Sequence, residues 1–113
     1  MRIAVKVSNR RFVMLDVDDL YYLESEGHDV LVRTARKTRH RSVRPLGDLE
    51  KKLTPRGFMR IHRSFVVNLE RVREARMQKG NDNDWELKLD PPVNAVLPVG
   101  RAHLARLRQA LGF

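Results

Sequence analysis

The apolar residues of this chain arrive in short β-prone runs, each cut off by turn-forming residues, and that punctuation restricts the fold more than any other feature. Ile3, Val5 and Val7 alternate with Ala4 and Lys6, Ser8-Asn9-Arg10 supplies a turn, and Phe12 to Leu15 completes a hairpin. Asp16-Val17-Asp18-Asp19 has turn or helix-start chemistry and leads into Leu20-Tyr21-Tyr22-Leu23. Gly27-His28-Asp29 is an exposed connection into Val30-Leu31-Val32, and Ala35-Arg36-Lys37-Thr38 is the turn of a further hairpin. Val72 to Met77 and Trp85 to Leu89 flank Gly80-Asn81-Asp82-Asn83, so a third hairpin places Trp85, Leu87 and Leu89 on one core-facing side. Pro91-Pro92 breaks ladder bonding and marks a turn, after which Ala95 to Val99 resumes a strand.

Two segments carry the helical period instead. Pro45 suits a helix first turn, Leu46, Leu49 and Leu53 recur on one stripe, and Gly57 lies beyond the helix end. Leu104, Leu107 and Leu111 trace the stripe of a C-terminal helix whose remaining His103, Arg106 and Arg108 are expected to face solvent. Phe58 to Leu69 fits neither period. The expectation is a single domain over residues 1–113, mainly β with two short helices.

Charge narrows the function. A formal net charge of +9 and a pI near 10.8 on 113 residues point to a polyanionic partner: nucleic acid, an anionic membrane surface or an acidic protein. No cysteine is present, which removes thiolate metal sites, disulfides and thiol catalysis together. No apolar run approaches the roughly 20 residues of a membrane helix, and Met1-Arg2 leads straight into a strand-like segment with no signal-peptide core, so the expected compartment is the cytoplasm. His62 has no second histidine or carboxylate at ligand spacing, so neither a metal nor another cofactor is expected. Asp16, Asp18 and Asp19 fit turn residues better than a carboxylate pair for catalysis, and no phosphate-cradling glycine loop is visible, so the chain is not expected to be an enzyme.

Three segments together resemble the LytTR family of DNA-binding domains: Tyr22-Leu23-Glu24-Ser25-Glu26-Gly27-His28 running into Val30-Leu31-Val32; Phe58-Met59-Arg60-Ile61-His62-Arg63-Ser64-Phe65-Val66-Val67-Asn68-Leu69; and Leu97-Pro98-Val99-Gly100-Arg101. Their order and spacing match across nearly the whole chain, and the Arg-Ile-His-Arg-Ser run closing on Val-Asn-Leu is the most specific of them. The resemblance implies an elongated domain of several small antiparallel sheets that binds one face of double-stranded DNA, with loops entering successive major grooves. It implies the output part of a bacterial transcription regulator, which in the family is joined to a receiver or sensor domain absent from these 113 residues, and a second copy on an adjacent DNA site.

Carried onto this chain, the base-reading candidates are His28 or Asp29, Arg63 and Arg101. An arginine fork matches guanine O6 and N7, whereas an ordinary surface arginine in solvent or in an ion pair is the plainer alternative. Arg33, Arg36, Lys37, Arg39 and Arg41, with Arg60, His62 and Ser64 of the middle block, are the phosphate-contact candidates, although alternate residues of a strand cannot all meet one duplex. Two departures stand out. Gly100 occupies a position where the family commonly has serine, which removes a hydroxyl able to cap the last helix, and Pro91-Pro92-Val93-Asn94 replaces a glycine-containing turn. The rival reading is a small RNA-binding or ribosome-associated protein, disfavoured because only 6% of residues are aromatic and those sit mostly in apolar runs.

Overall fold

A computed structural model describes residues 1–37 and 40–113. Ten strands and two helices follow in the order β1 (Arg2–Ser8), β2 (Arg11–Asp16), β3 (Leu20–Glu26), β4 (Asp29–Thr34), β5 (His40–Ser42), α1 (Leu46–Leu53), β6 (Phe58–His62), β7 (Phe65–Asn68), β8 (Val72–Met77), β9 (Trp85–Leu89), β10 (Val96–Val99) and α2 (Arg101–Leu111). Seven strands form one antiparallel sheet in the order β2-β1-β5-β4-β3-β7-β6, and the other three form a second in the order β10-β9-β8. The expected mainly β, antiparallel, elongated domain is what the chain forms, with extents of 48 × 26 × 25 Å.

Apolar side chains bury on both faces of the large sheet, and the two cores overlap on β3, β6 and β7. On one face Leu46, Leu49 and Leu53 of α1 pack against Ile3, Val5, Leu23, Val30, Val32 and Val66. On the other, Tyr21, Ile61 and Val67 meet Leu87, Leu89, Leu97 and Val99 of the small sheet and Leu107 of α2. Val66 and Val67 are neighbours in sequence yet belong to opposite cores, because successive strand residues point to opposite faces. This double burial explains why the stretch from Phe58 to Leu69 shows no period. Strands buried on both faces lose polar alternation, and a register shift between Arg60 and His62 breaks what remains. A second shift between Leu20 and Tyr22 lets Tyr21 and Tyr22 both serve the second core.

A few polar contacts join the parts. The Tyr21 hydroxyl donates to the Pro91 carbonyl at 3.0 Å, tying the large sheet to the turn of the small one. Asn68, 4% exposed, donates from Nδ2 to the Leu20 carbonyl at 2.9 Å and accepts on Oδ1 from the Glu70 amide at 3.1 Å. Asp16 caps the 3-10 turn Val17–Asp19 by accepting from the Asp18 amide, so the acidic cluster there is turn chemistry. In the β9–β10 connection the Pro91–Pro92 bond is cis and Asn94 adopts φ +51°, a closure that differs from a glycine turn. Trp85 packs against the second core with its ring centroid 5.0 Å from that of Phe113.

Candidate nucleic-acid interface

Strand direction decides which loops can work together. β3 climbs to Glu26 and β4 descends from Asp29, with Glu26 paired to Asp29 across a two-residue Gly27-His28 turn. Gly27 takes φ +60°, the conformation that the first position of such a tight turn demands and that a side chain would resist. β7 runs antiparallel to β3, and the Ser25 amide donates to the Ser64 carbonyl at 2.9 Å, so the β6–β7 turn stands beside the β3–β4 turn. The Gly100 amide donates to the Ile61 carbonyl at 2.7 Å and brings the start of α2 to the same place. His28, Arg63 and Arg101 are all exposed, and they follow one another along a single end of the large sheet. At about 4.8 Å between neighbouring strands, the His28 and Arg63 turns lie roughly 10 Å apart.

The Arg63 turn is braced from inside. Arg60 donates from Nε to the His62 carbonyl at 2.8 Å, from one terminal nitrogen to Glu50 Oε1 of α1 at 2.9 Å, and from the other to the Arg63 carbonyl. His62 accepts the Ser64 amide on Nδ1 at 3.0 Å, which leaves the proton of a neutral ring on Nε2. Arg60 and His62 therefore direct polar atoms inward, toward the turn, although the sequence placed both among the phosphate candidates.

The basic cluster of the sequence does not form one patch. Arg36 and Lys37 follow Thr34, at the opposite end of β4 from His28, and Arg39 lies outside the described residues. Arg33 is half-buried, paired across from Tyr22, and its Nε is shut off from solvent without a hydrogen bond. Arg41 stays near the His28 turn, where it pairs with Asp29 at 2.9 Å. Asp29 is thus the first residue of β4 with its carboxylate engaged, while His28 stands at the turn itself. Arg44, the last arginine of that basic stretch, is exposed just past Ser42, which pairs with Val30 at the loop end.

Arg101 Nε lies 3.1 Å from Asp84 Oδ1, with 64% of the arginine side chain exposed. Such an exposed pair is worth about 0–1 kcal/mol, so exchange for another acceptor costs little. Gly100 is the N-cap of α2 and offers no side-chain bond, as its lack of a hydroxyl predicts. A Cβ at that position would sit 3.3 Å from His103 Cδ2 and 3.6 Å from His62 Cα, which shows how closely α2 approaches the Arg63 turn. That approach also corrects the expected exposure of His103: the ring is half-buried with Nδ1 unpartnered, and burial, followed by the Arg106 and Arg60 charges, lowers its pKa. Arg106 and Arg108 are exposed as expected. Among the described residues no helix is long and apolar enough to cross a membrane.

Comparison with known proteins agrees with this architecture. The family model of the LytTr DNA-binding domain matches residues 10–112. The chain is 36% identical over 99 residues to the CO-responsive transcriptional regulator RcoM of Rhodospirillum rubrum, covering 86% of this chain and 39% of that protein. It is 32% identical over 107 residues to the transcriptional regulatory protein YpdB of Escherichia coli K12, covering 93% of this chain and 41% of that one. It thus spans about two fifths of the length of these relatives. A solved LytTr DNA-binding domain from Bacillus cereus superposes with a TM-score of 0.83 over 99% of this chain and 97% of that one, at 21% identity, which establishes the shared fold. With the family model spanning residues 10–112, all but β1 and a few residues of the chain, the chain belongs to the LytTR family of DNA-binding domains.

Proposed function

We propose that the chain reads a defined duplex DNA sequence as the output domain of a bacterial transcription regulator, working in the cytoplasm by binding and without catalysis. The observation that carries this reading is the alignment of the His28, Arg63 and Arg101 loops along one end of the sheet. A row of exposed side chains on separate rigid turns can enter a groove at successive points, and each bidentate arginine–guanine pair supplies roughly 1–3 kcal/mol of discrimination. His28 is favoured over Asp29 because it sits exposed on the two-residue turn itself, whereas Asp29 is half-buried as the first residue of β4. Arg41, Arg44, Ser64 and the first amides of α2 are the phosphate contacts nearest these loops, and each neutralised phosphate adds about 0.9 to the salt slope. Arg36 and Lys37, at the far end of β4, are assigned no part in the same contact. The aromatic residues flanking the β3–β7 ladder, Tyr22 and Phe65, are half-buried against each other with ring centroids 6.1 Å apart, which favours duplex reading over stacking of unpaired bases.

Selection from a random duplex library at near-physiological salt tests this reading. A short enriched motif is expected, repeated at about one helical turn if two copies bind adjacent sites. Arg63→Ala and Arg101→Ala should each lower the preference for that motif over a scrambled duplex by roughly 5- to 150-fold while changing scrambled-duplex affinity little. Failure to enrich any motif, or a uniform loss on all sequences, overturns the base-reading assignment.

A further inference from the structure

We infer that Arg60 is a positioning residue for DNA recognition, one that acts through Arg63 and touches no phosphate. This rests on the proposed base-reading role of Arg63. The geometry supplies three reasons. The guanidinium uses Nε and both terminal nitrogens at once, on the His62 carbonyl, the Arg63 carbonyl and Glu50 Oε1, so its donor directions converge inside the turn. Its side chain is only 21% exposed, whereas Arg63 at the tip is exposed. Its acceptors are the two successive carbonyls that set the path of the backbone through His62 and Arg63, and Glu50 anchors the fork to α1.

The consequence is mechanical. A two-residue tip on a hairpin is free to rock, and a bidentate contact to a base tolerates little angular error. The Arg60 fork, the Ser64 amide on His62 Nδ1, and the Ser25 amide on the Ser64 carbonyl together fix the turn from three sides. Arg60 is the member of this set that reaches both carbonyls and a second element. Lysine cannot replace it, because an ammonium is a single point from which three hydrogen bonds do not spread in a planar fork.

The test uses the 113-residue chain, the enriched duplex and a scrambled duplex of equal length and composition. Arg60→Lys, Arg60→Gln and Glu50→Gln are compared with Arg63→Ala and with the double variant Arg60→Lys/Arg63→Ala. Positioning predicts that Arg60→Lys and Arg60→Gln each lose about tenfold in preference for the enriched duplex. It also predicts an unchanged salt slope on the scrambled duplex, a smaller loss in the same direction for Glu50→Gln, and a double variant no worse than Arg63→Ala alone. A phosphate contact predicts the reverse: Arg60→Lys close to the parent, Arg60→Gln weaker on both duplexes with the slope reduced by about 0.9, and additive losses in the double variant. That second set overturns the inference. If Arg60→Gln fails to fold, judged by circular dichroism, Glu50→Gln and the charge-conserving lysine variant still separate the two outcomes. If Arg63→Ala itself leaves preference intact, the base-reading assignment fails; if only the Arg60 and Glu50 variants do so, this inference alone fails.

Discussion

Replacing Leu107 by alanine tests whether α2 is held as described. Leu107 is 0% exposed and is the residue of α2 fully buried in the second core, where it meets side chains of both sheets. The substitution withdraws the equivalent of three methyl or methylene groups, about 2.4 kcal/mol at about 0.8 kcal/mol each. The cavity left behind raises such losses to roughly 2.7–5 kcal/mol. Leu104 and Leu111, on the same stripe and partly exposed, can close in on the gap, which puts the expected loss near the lower end, about 3 kcal/mol. With an unfolding entropy near 2.1 cal/mol/K per residue over 113 residues, the melting temperature should fall by about 13 °C. Urea denaturation followed by fluorescence of Trp85, the chain's single tryptophan and a member of the same core, measures it directly. Because α2 carries Arg101, preference for the enriched duplex should suffer more than scrambled-duplex affinity. A loss below about 1 kcal/mol, or one equal to that of Leu104→Ala, would refute the packing argument.

Two further outcomes follow from buried polar groups. Asn68→Ala should cost about 2–3 kcal/mol, since it strands the Leu20 carbonyl and uncaps the Leu69–Arg71 turn; chemical denaturation showing a change under about 0.5 kcal/mol would contradict it. His40 and His103 both have pKa values lowered from 6.5, each by burial first, with Arg36 adding to the effect on His40 and Arg106 and Arg60 on His103. Below the ordinary histidine value the unfolded chain binds more protons than the folded one. Their stabilising contribution is therefore complete above about pH 6.5 and is lost as pH falls toward the depressed folded values. Denaturation midpoints across this window should decline with falling pH, less steeply in His103→Gln, and an identical slope in that variant would exclude His103 as a source.

Short β-runs closed by turn residues, two leucine stripes and the run from Arg60 to Asn68 carried enough local information to give a mainly β domain and its family, and the net charge of +9 pointed to a polyanionic partner. Those features are written in spacing and residue type, so they survive without knowledge of packing. The candidate site was legible as three separate loops, but their alignment was not. Tertiary structure alone set that arrangement, through the β3–β7 pairing and the contact of the Gly100 amide with the Ile61 carbonyl, both between residues distant in sequence. It also divided the basic cluster, because strand direction sends Arg36 and Lys37 to one end and leaves Arg41 and Arg44 at the other. The two arginines of the middle block show the same boundary: residue type alone does not distinguish Arg60 from Arg63, and only the fold converges three acceptors on Arg60 while leaving Arg63 exposed.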